Sequence, residues 1–204
     1  MNIKIKNISS VNYKKTVNVF ARAFVNDPLN IFAFPDEKER ARITEIIYKF
    51  VIMSMVPEMD LKIKGAFENE KIVGALIYTL PESKIGWINK LDSAVIEMRR
   101  KANNEKMKLI GEYAIKSAKY KPKFPHIYLN ELAVLPEFQN HGIGTDLMKS
   151  AETESEKHTT AVGLGLDTTN INNVRLYKKL GYEIVKEFKF YELKGFSMFK
   201  KLKP

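Results

Sequence analysis

The residues best placed to do chemistry are Gln139-Asn140-His141-Gly142-Ile143-Gly144-Thr145, two glycines around one isoleucine. An apolar strand-like run and a proline turn precede them, and a helix-like segment from Thr145 to Lys157 follows. Glycine lacks a Cβ, so the backbone can take positive φ and come close to an anion. The helix behind it offers N–H groups without intrahelical partners at its positive end. A diphosphate suits such a cradle. No GKS or GKT follows, which removes the nucleotide-triphosphate loop, and Leu147 stands where the dinucleotide fingerprint needs a third glycine. A bare GxG is equally an ordinary turn; the strand before and the helix after supply the context.

With Gln139 the signature reads QxxGxG. A second one lies downstream in Asn170-Ile171-Asn172-Asn173-Val174-Arg175-Leu176-Tyr177-Lys178-Lys179-Leu180-Gly181-Tyr182. On these two motifs, in this order, the chain resembles the GNAT superfamily of N-acetyltransferases; before residue 126 the similarity rests on the pattern of elements. The resemblance implies acetyl-coenzyme A as donor, its pyrophosphate held by Gln139, Asn140, His141, Gly142, Ile143, Gly144 and Thr145. It implies a central strand splayed from its neighbour, whose end at Leu132, Ala133 and Val134 binds the pantetheine arm through main-chain groups. The Val134 N–H is then the donor to the thioester carbonyl, Tyr177 the acid that protonates the departing thiolate, and Asn173, ahead of Asn170, the partner of the pantetheine amides. Taken alone, Tyr177 reads as a core tyrosine and Asn170 as a helix N-cap.

The general base is less visible. The strand positions that face the acceptor in such enzymes are Tyr128 and Asn130, neither a carboxylate. Glu131 is adjacent, and reaches the same side only through a bulge or a bridging water. His126, His141 and the more distant Asp167 are further candidates, and three scattered histidines do not make a metal site. AlaPheValAsnAspPro at 23–28, TyrThrLeuProGluSer at 78–83 and LeuAspThrThr at 166–169 are similar to stretches of puromycin N-acetyltransferase-like members. That similarity favours a small amine with apolar parts, received by residues such as Phe32, Phe34, Trp87 and Tyr128, all of which read equally as core.

A chain of 204 residues suffices for one well-buried core, so 1–204 is expected to be one domain. Hydrophobic residues at 45% and charged residues at 28% describe a globular chain without a membrane-spanning run. No signal peptide precedes Asn2-Ile3-Lys4-Ile5-Lys6, and cysteine is absent, which excludes thiol catalysis. A soluble, cytoplasmic monomer or homodimer is expected. The formal charge of +10 favours anionic ligands. Between Lys84 and Lys123, eleven basic residues face four acidic ones, which is either a solvated helical face or a nucleic-acid footprint.

Periodicity gives a strand over 2–8, a helix from Val11 to Val25 stopped by Asn26-Asp27-Pro28, and an aromatic loop at 31–34. A helix opened by Asp36 and closed by Pro57 follows, then a hairpin about Asn69-Glu70. A basic helical insert over 84–123, broken at Asn103-Asn104, walls the acceptor site. Next come the central strand 126–134, the cradle and its helix, a strand over 161–167, a helix over 172–180, and a final hairpin turning at Lys194-Gly195. The fold expected is α/β, or more strictly α+β. It is the GNAT architecture, a mixed and mostly antiparallel sheet of about seven strands with helices on both faces. Three functions compete: an N-acetyltransferase attacking the thioester directly with a small amine, an acyl-coenzyme A sensor of the same fold without a productive base, and a nucleic-acid-associated basic protein.

Overall fold

The cradle is carried by two central strands, β3 (Lys71–Thr79) and β4 (Ile127–Val134), antiparallel neighbours in a seven-stranded sheet. The computed structural model describes residues 1–83, 92–102, 104–158 and 160–202. Outward from β3 lie β2 (Lys62–Glu68) and β1 (Ile3–Asn7); outward from β4 lie β5 (Gly163–Thr168), β7 (Leu193–Lys201) and β6 (Glu183–Phe190), giving the order β1-β2-β3-β4-β5-β7-β6. Every pair is antiparallel except β4 with β5. That is the mixed, mostly antiparallel sheet the resemblance implies.

Helices cover both faces because β3 is apolar on both. Val73, Leu76 and Tyr78 meet Leu147 and Met148 of α7 (Ile143–Glu156), whereas Ile72, Ala75 and Ile77 meet Val17 and Phe20 of α1 (Tyr13–Phe24) and Tyr48 of α3 (Glu37–Phe50). A strand buried on two sides reads as a continuous apolar run rather than an alternation. The helices α5 (Asp92–Ala102) and α6 (Asn104–Ala118) join α3 through a smaller cluster of Phe34, Ile43, Ala102 and Met107. No described helix is long and apolar enough to cross a membrane.

Two irregularities of β4 open this strand to the cavities beside it. Ile77 pairs with Glu131 but Tyr78 pairs with Leu129, so Asn130 is an extra residue and the strand bulges there. On its other edge β4 pairs with β5 only through Ile127–Leu164 and Tyr128–Gly165. Beyond Tyr128 the two strands part, and β4 shows an unpaired backbone edge to a cleft.

Three local expectations are corrected. The aromatic stretch contains a helix, α2 (Pro28–Ala33), because Asp27 both ends one helix and caps the next: its Oδ1 accepts from the Leu29 N–H at 3.0 Å, and Pro28 occupies the first turn, where no N–H is needed. Pro57 does not close α3; the chain widens into a π-helical turn at Val51–Met55 and continues as α4 (Val56–Glu58), with the proline again in a first turn. The last hairpin turns at Tyr191-Glu192, with Tyr191 at φ 51°, not at Lys194-Gly195. Gly195 lies inside β7 opposite Phe188, whose ring would stand 2.3 Å from an added Cβ. Its glycine makes room for a ring rather than a bend.

Candidate active site

At the end of β4 the chain passes a single helical turn at Pro136–Phe138 and enters the cradle, with Asn140 at φ 63° and Gly142 at φ 81°. The first helical bond of α7 is Asp146 N–H to the Gly142 carbonyl at 3.0 Å; the N–H groups from Asn140 to Thr145 find no acceptor among the described residues. A Cβ added to Gly142 would meet nothing within 4 Å. The run of free donors therefore faces open space, the arrangement that a pyrophosphate fills.

This space is a cavity of about 610 Å³, lined by Gln139, Asn140, Gly142, Ile143, Gly144 and Thr145, by Leu132 and Val134, and by Asn170, Asn173 and Tyr177. Leu135 N–H bonds to the Val73 carbonyl on the β3 side at 2.9 Å. Alternate residues of an antiparallel strand share an edge, so the polar backbone of Ala133 also faces β3, while that of Leu132 and Val134 faces the cleft. The Val134 carbonyl there accepts from Gln139 Nε2 at 3.0 Å. Ala133, buried against β3, and His141, whose Nδ1 lies 2.7 Å from the Gln139 carbonyl, do not line the cavity.

The short helix α8 (Ile171–Lys179) delivers the remaining groups. Asn170 caps it, its Oδ1 accepting from Asn172 N–H at 3.0 Å, while still bordering the cavity. The Asn173 amide and the Tyr177 hydroxyl have no hydrogen-bond partner among the described residues, although Tyr177 is buried. Burial, followed by the carboxylates Asp27, Glu131 and Asp167, holds that phenol well above its ordinary value and so protonated.

A second cavity, of about 430 Å³, lies against the bulge. Tyr128, Asn130 and Glu131 all line it, since the extra residue breaks the alternation that would have sent Glu131 to the opposite face. Phe24, Asp27, Leu132, Asn173 and Tyr177 line both cavities and form the constriction where they meet. The Glu131 carboxylate accepts from the Tyr48 hydroxyl at 3.1 Å. Burial, then nearby Asp27 and Asp167, push it up to about 8, against the pull of Tyr48 and Lys121. Asp27 is pushed up to about 6 by burial, opposed by its bonds to the Leu29 and Asn30 backbone. Asp167 accepts from the Tyr113 hydroxyl at 2.6 Å and from the Tyr128 hydroxyl, and the Lys121 ammonium stands 3.5 Å from the centre of the Tyr128 ring.

Other expected acceptor contacts lie elsewhere. Phe32 packs against Phe190 and Tyr191 and reaches neither cavity, and Phe34 is fully buried under α3. Trp87 lies outside the described residues. His126 borders neither cavity; its Nδ1 is 2.7 Å from the Phe124 carbonyl, and burial lowers its proton affinity. The spacing of the sequence gives no signal for Asp27, Tyr48, Tyr113 or Lys121. Asp27 reads as a helix stop, Tyr113 and Lys121 sit in a basic helical stretch, and Tyr48 falls on an amphipathic face.

Known proteins share this fold. The sequence matches the Acetyltransferase (GNAT) family over residues 27–182. No curated protein matches it. Among solved structures, a histone acetyltransferase HPA2-related acetyltransferase from Corynebacterium glutamicum superposes with a TM-score of 0.73 at 20% identity, covering 100% of this chain and 99% of the other. The PaiA N-acetyltransferase of Thermoplasma acidophilum, solved with coenzyme A, gives 0.59 at 17% identity over 99% and 100%. A polyamine N-acetyltransferase of Drosophila melanogaster gives 0.62 at 14% over 98% and 100%. With the family match running from the cap of α2 to the end of α8, through the bulge, the splay and the cradle, the chain belongs to the GNAT acetyltransferase family.

Proposed function

We propose that the protein, acting as one domain over its whole length, is an acetyl-coenzyme A dependent N-acetyltransferase for a small primary amine. The observation that carries this is the meeting of two cavities at one constriction, with Tyr177 at the junction and Glu131 in the second cavity. When bound, the coenzyme supplies an acyl group activated as a thioester.

The chain's own groups do the rest. The free N–H groups from Asn140 to Thr145 hold the pyrophosphate, and the open edge of β4 at Leu132 and Val134 holds the arm, with the Asn173 amide free to bond to it. The Val134 N–H, aimed into the cleft, donates to the carbonyl oxygen as negative charge grows there. Glu131, oriented by Tyr48, takes the proton that an ammonium must lose before its nitrogen can attack. A carboxyl pushed up to about 8 is well matched to that task near neutral pH. The Tyr177 hydroxyl, held protonated, gives its proton to the sulfur.

A thiol-release assay with acetyl-coenzyme A and a panel of small amines tests the proposal. Release of free thiol with an amine, lost in Glu131→Gln, supports it. Calorimetric binding of coenzyme A with no thiol released for any acceptor would instead make the protein a sensor.

A further inference from the structure

The chain carries a formal charge of +10, yet its acceptor cavity gathers three carboxylates, Asp27, Glu131 and Asp167, around a single ammonium, Lys121. Fully ionised, that leaves two negative charges in one cavity, where an unpaired charge is costly. Glu131 has its own role beside the constriction. Asp167 lies at the end of β5, held by two phenols: Tyr113 donates to Oδ2 at 2.6 Å and Tyr128 to Oδ1. An ionised carboxylate offers about four lone-pair sites, so two phenols leave about half of them open.

A second sign marks the surroundings of Asp167 as a place for a cation. The Lys121 ammonium rests 3.5 Å from the centre of the Tyr128 ring, and among the described residues it has no carboxylate within ion-pair distance. An ammonium group from the protein itself thus already occupies an aromatic face beside Asp167. The same cavity is walled in part by the apolar side chains of Leu29, Ile47, Met55, Met59 and Ile110. These side chains suit methylene groups.

The geometry points to a second binding subsite at Asp167, between Tyr113 and Tyr128, for a protonated nitrogen remote from the one acetylated. The acceptor is then an amine bearing another cationic nitrogen on an apolar linker, a class whose two charges neutralise the cavity. This deepens the proposed function and rests on it for the identity of the cavity. An acceptor bearing a carboxylate would have Lys121 as its partner but would face three groups of its own sign.

Calorimetry on the full chain saturated with coenzyme A, titrated with 1,5-diaminopentane, pentylamine and 5-aminopentanoate, tests the subsite without requiring turnover. The diamine is expected to bind at least about tenfold more tightly than pentylamine, and Asp167→Asn to reduce that ratio to about threefold or less. Tyr113→Phe, which keeps the ring and removes one donor, is expected to give an intermediate ratio; it also decides the matter if Asp167→Asn fails to fold. Equal binding of diamine and monoamine by the unaltered protein, or an unchanged ratio in both variants, overturns the inference. Tighter binding of 5-aminopentanoate than of pentylamine overturns it too, making Lys121 an anion anchor. Diamine preference without thiol release would sink the proposed activity and leave the subsite standing; thiol release without that preference would do the reverse.

Discussion

In the proposed mechanism Glu131 and Tyr177 divide the proton traffic, and each makes a prediction with a definite sign. Glu131 must be ionised to act, and it is pushed up to about 8 chiefly by burial. The kcat/KM for the acceptor should therefore rise through about pH 8 and level off above it. Glu131→Gln should lower turnover by roughly 10²- to 10⁴-fold and remove that rising limb. Stability runs the other way. A carboxyl raised on folding favours the folded state at low pH, and the contribution is lost between its unfolded value of 4.5 and about 8. Glu131→Gln should accordingly melt above the parent at about pH 9 and close to it at about pH 5, read by calorimetric scans. Tyr177→Phe should cut kcat by roughly 10²-fold or more while coenzyme A affinity, measured by titration, stays within about threefold. Tyr177 was legible in the sequence because the Asn170–Tyr182 motif surrounds it. Asp27 was not, since AsnAspPro reads as a stop, and its second role as a cavity wall appears only when α1, α2 and β4 come together.

Among the elements, the bulge in β4 and the cradle before α7 matter most. Gly142 holds φ 81° with open space where a Cβ would go, so Gly142→Val combines backbone strain with a branched group in the anion's place. Coenzyme A binding should fall below calorimetric detection while the melting temperature drops by only a few degrees. Deleting Asn130 removes the extra residue and restores regular pairing, turning Glu131 away from the cavity. Such a variant should still bind coenzyme A but release no thiol; retained turnover would show that the bulge does not place the base. The cradle was legible because glycine spacing and the switch from strand to helix are local signals. The bulge was visible only as a condition for Glu131 to act, because it depends on how Tyr78 and Leu129 pair across chain positions far apart. The last hairpin was misplaced for a related reason: Gly195 answers to Phe188, a cross-strand neighbour.

Over the whole molecule, the surplus of positive charge divides between solvent and site. Lys101 pairs with Glu97 and Lys108 with Glu105, both exposed and each worth little, whereas Lys121 of the same basic stretch lines the second cavity. A net charge of +10 should speed capture of the anionic coenzyme, so its association rate, followed by stopped flow, should fall several-fold between low and physiological ionic strength. If instead the basic stretch grips nucleic acid, retention on DNA should be steeply salt-dependent and vanish when Arg99, Arg100 and Lys101 are reversed. The constriction shared by the two cavities has one more consequence, for the order of events. If the proposed function holds, donor and acceptor have separate chambers that share the lining residues Phe24, Asp27, Leu132, Asn173 and Tyr177, so neither must leave before the other arrives. Steady-state rates should then give intersecting double-reciprocal lines, the mark of a ternary complex, and parallel lines would reveal a covalent relay through the protein instead.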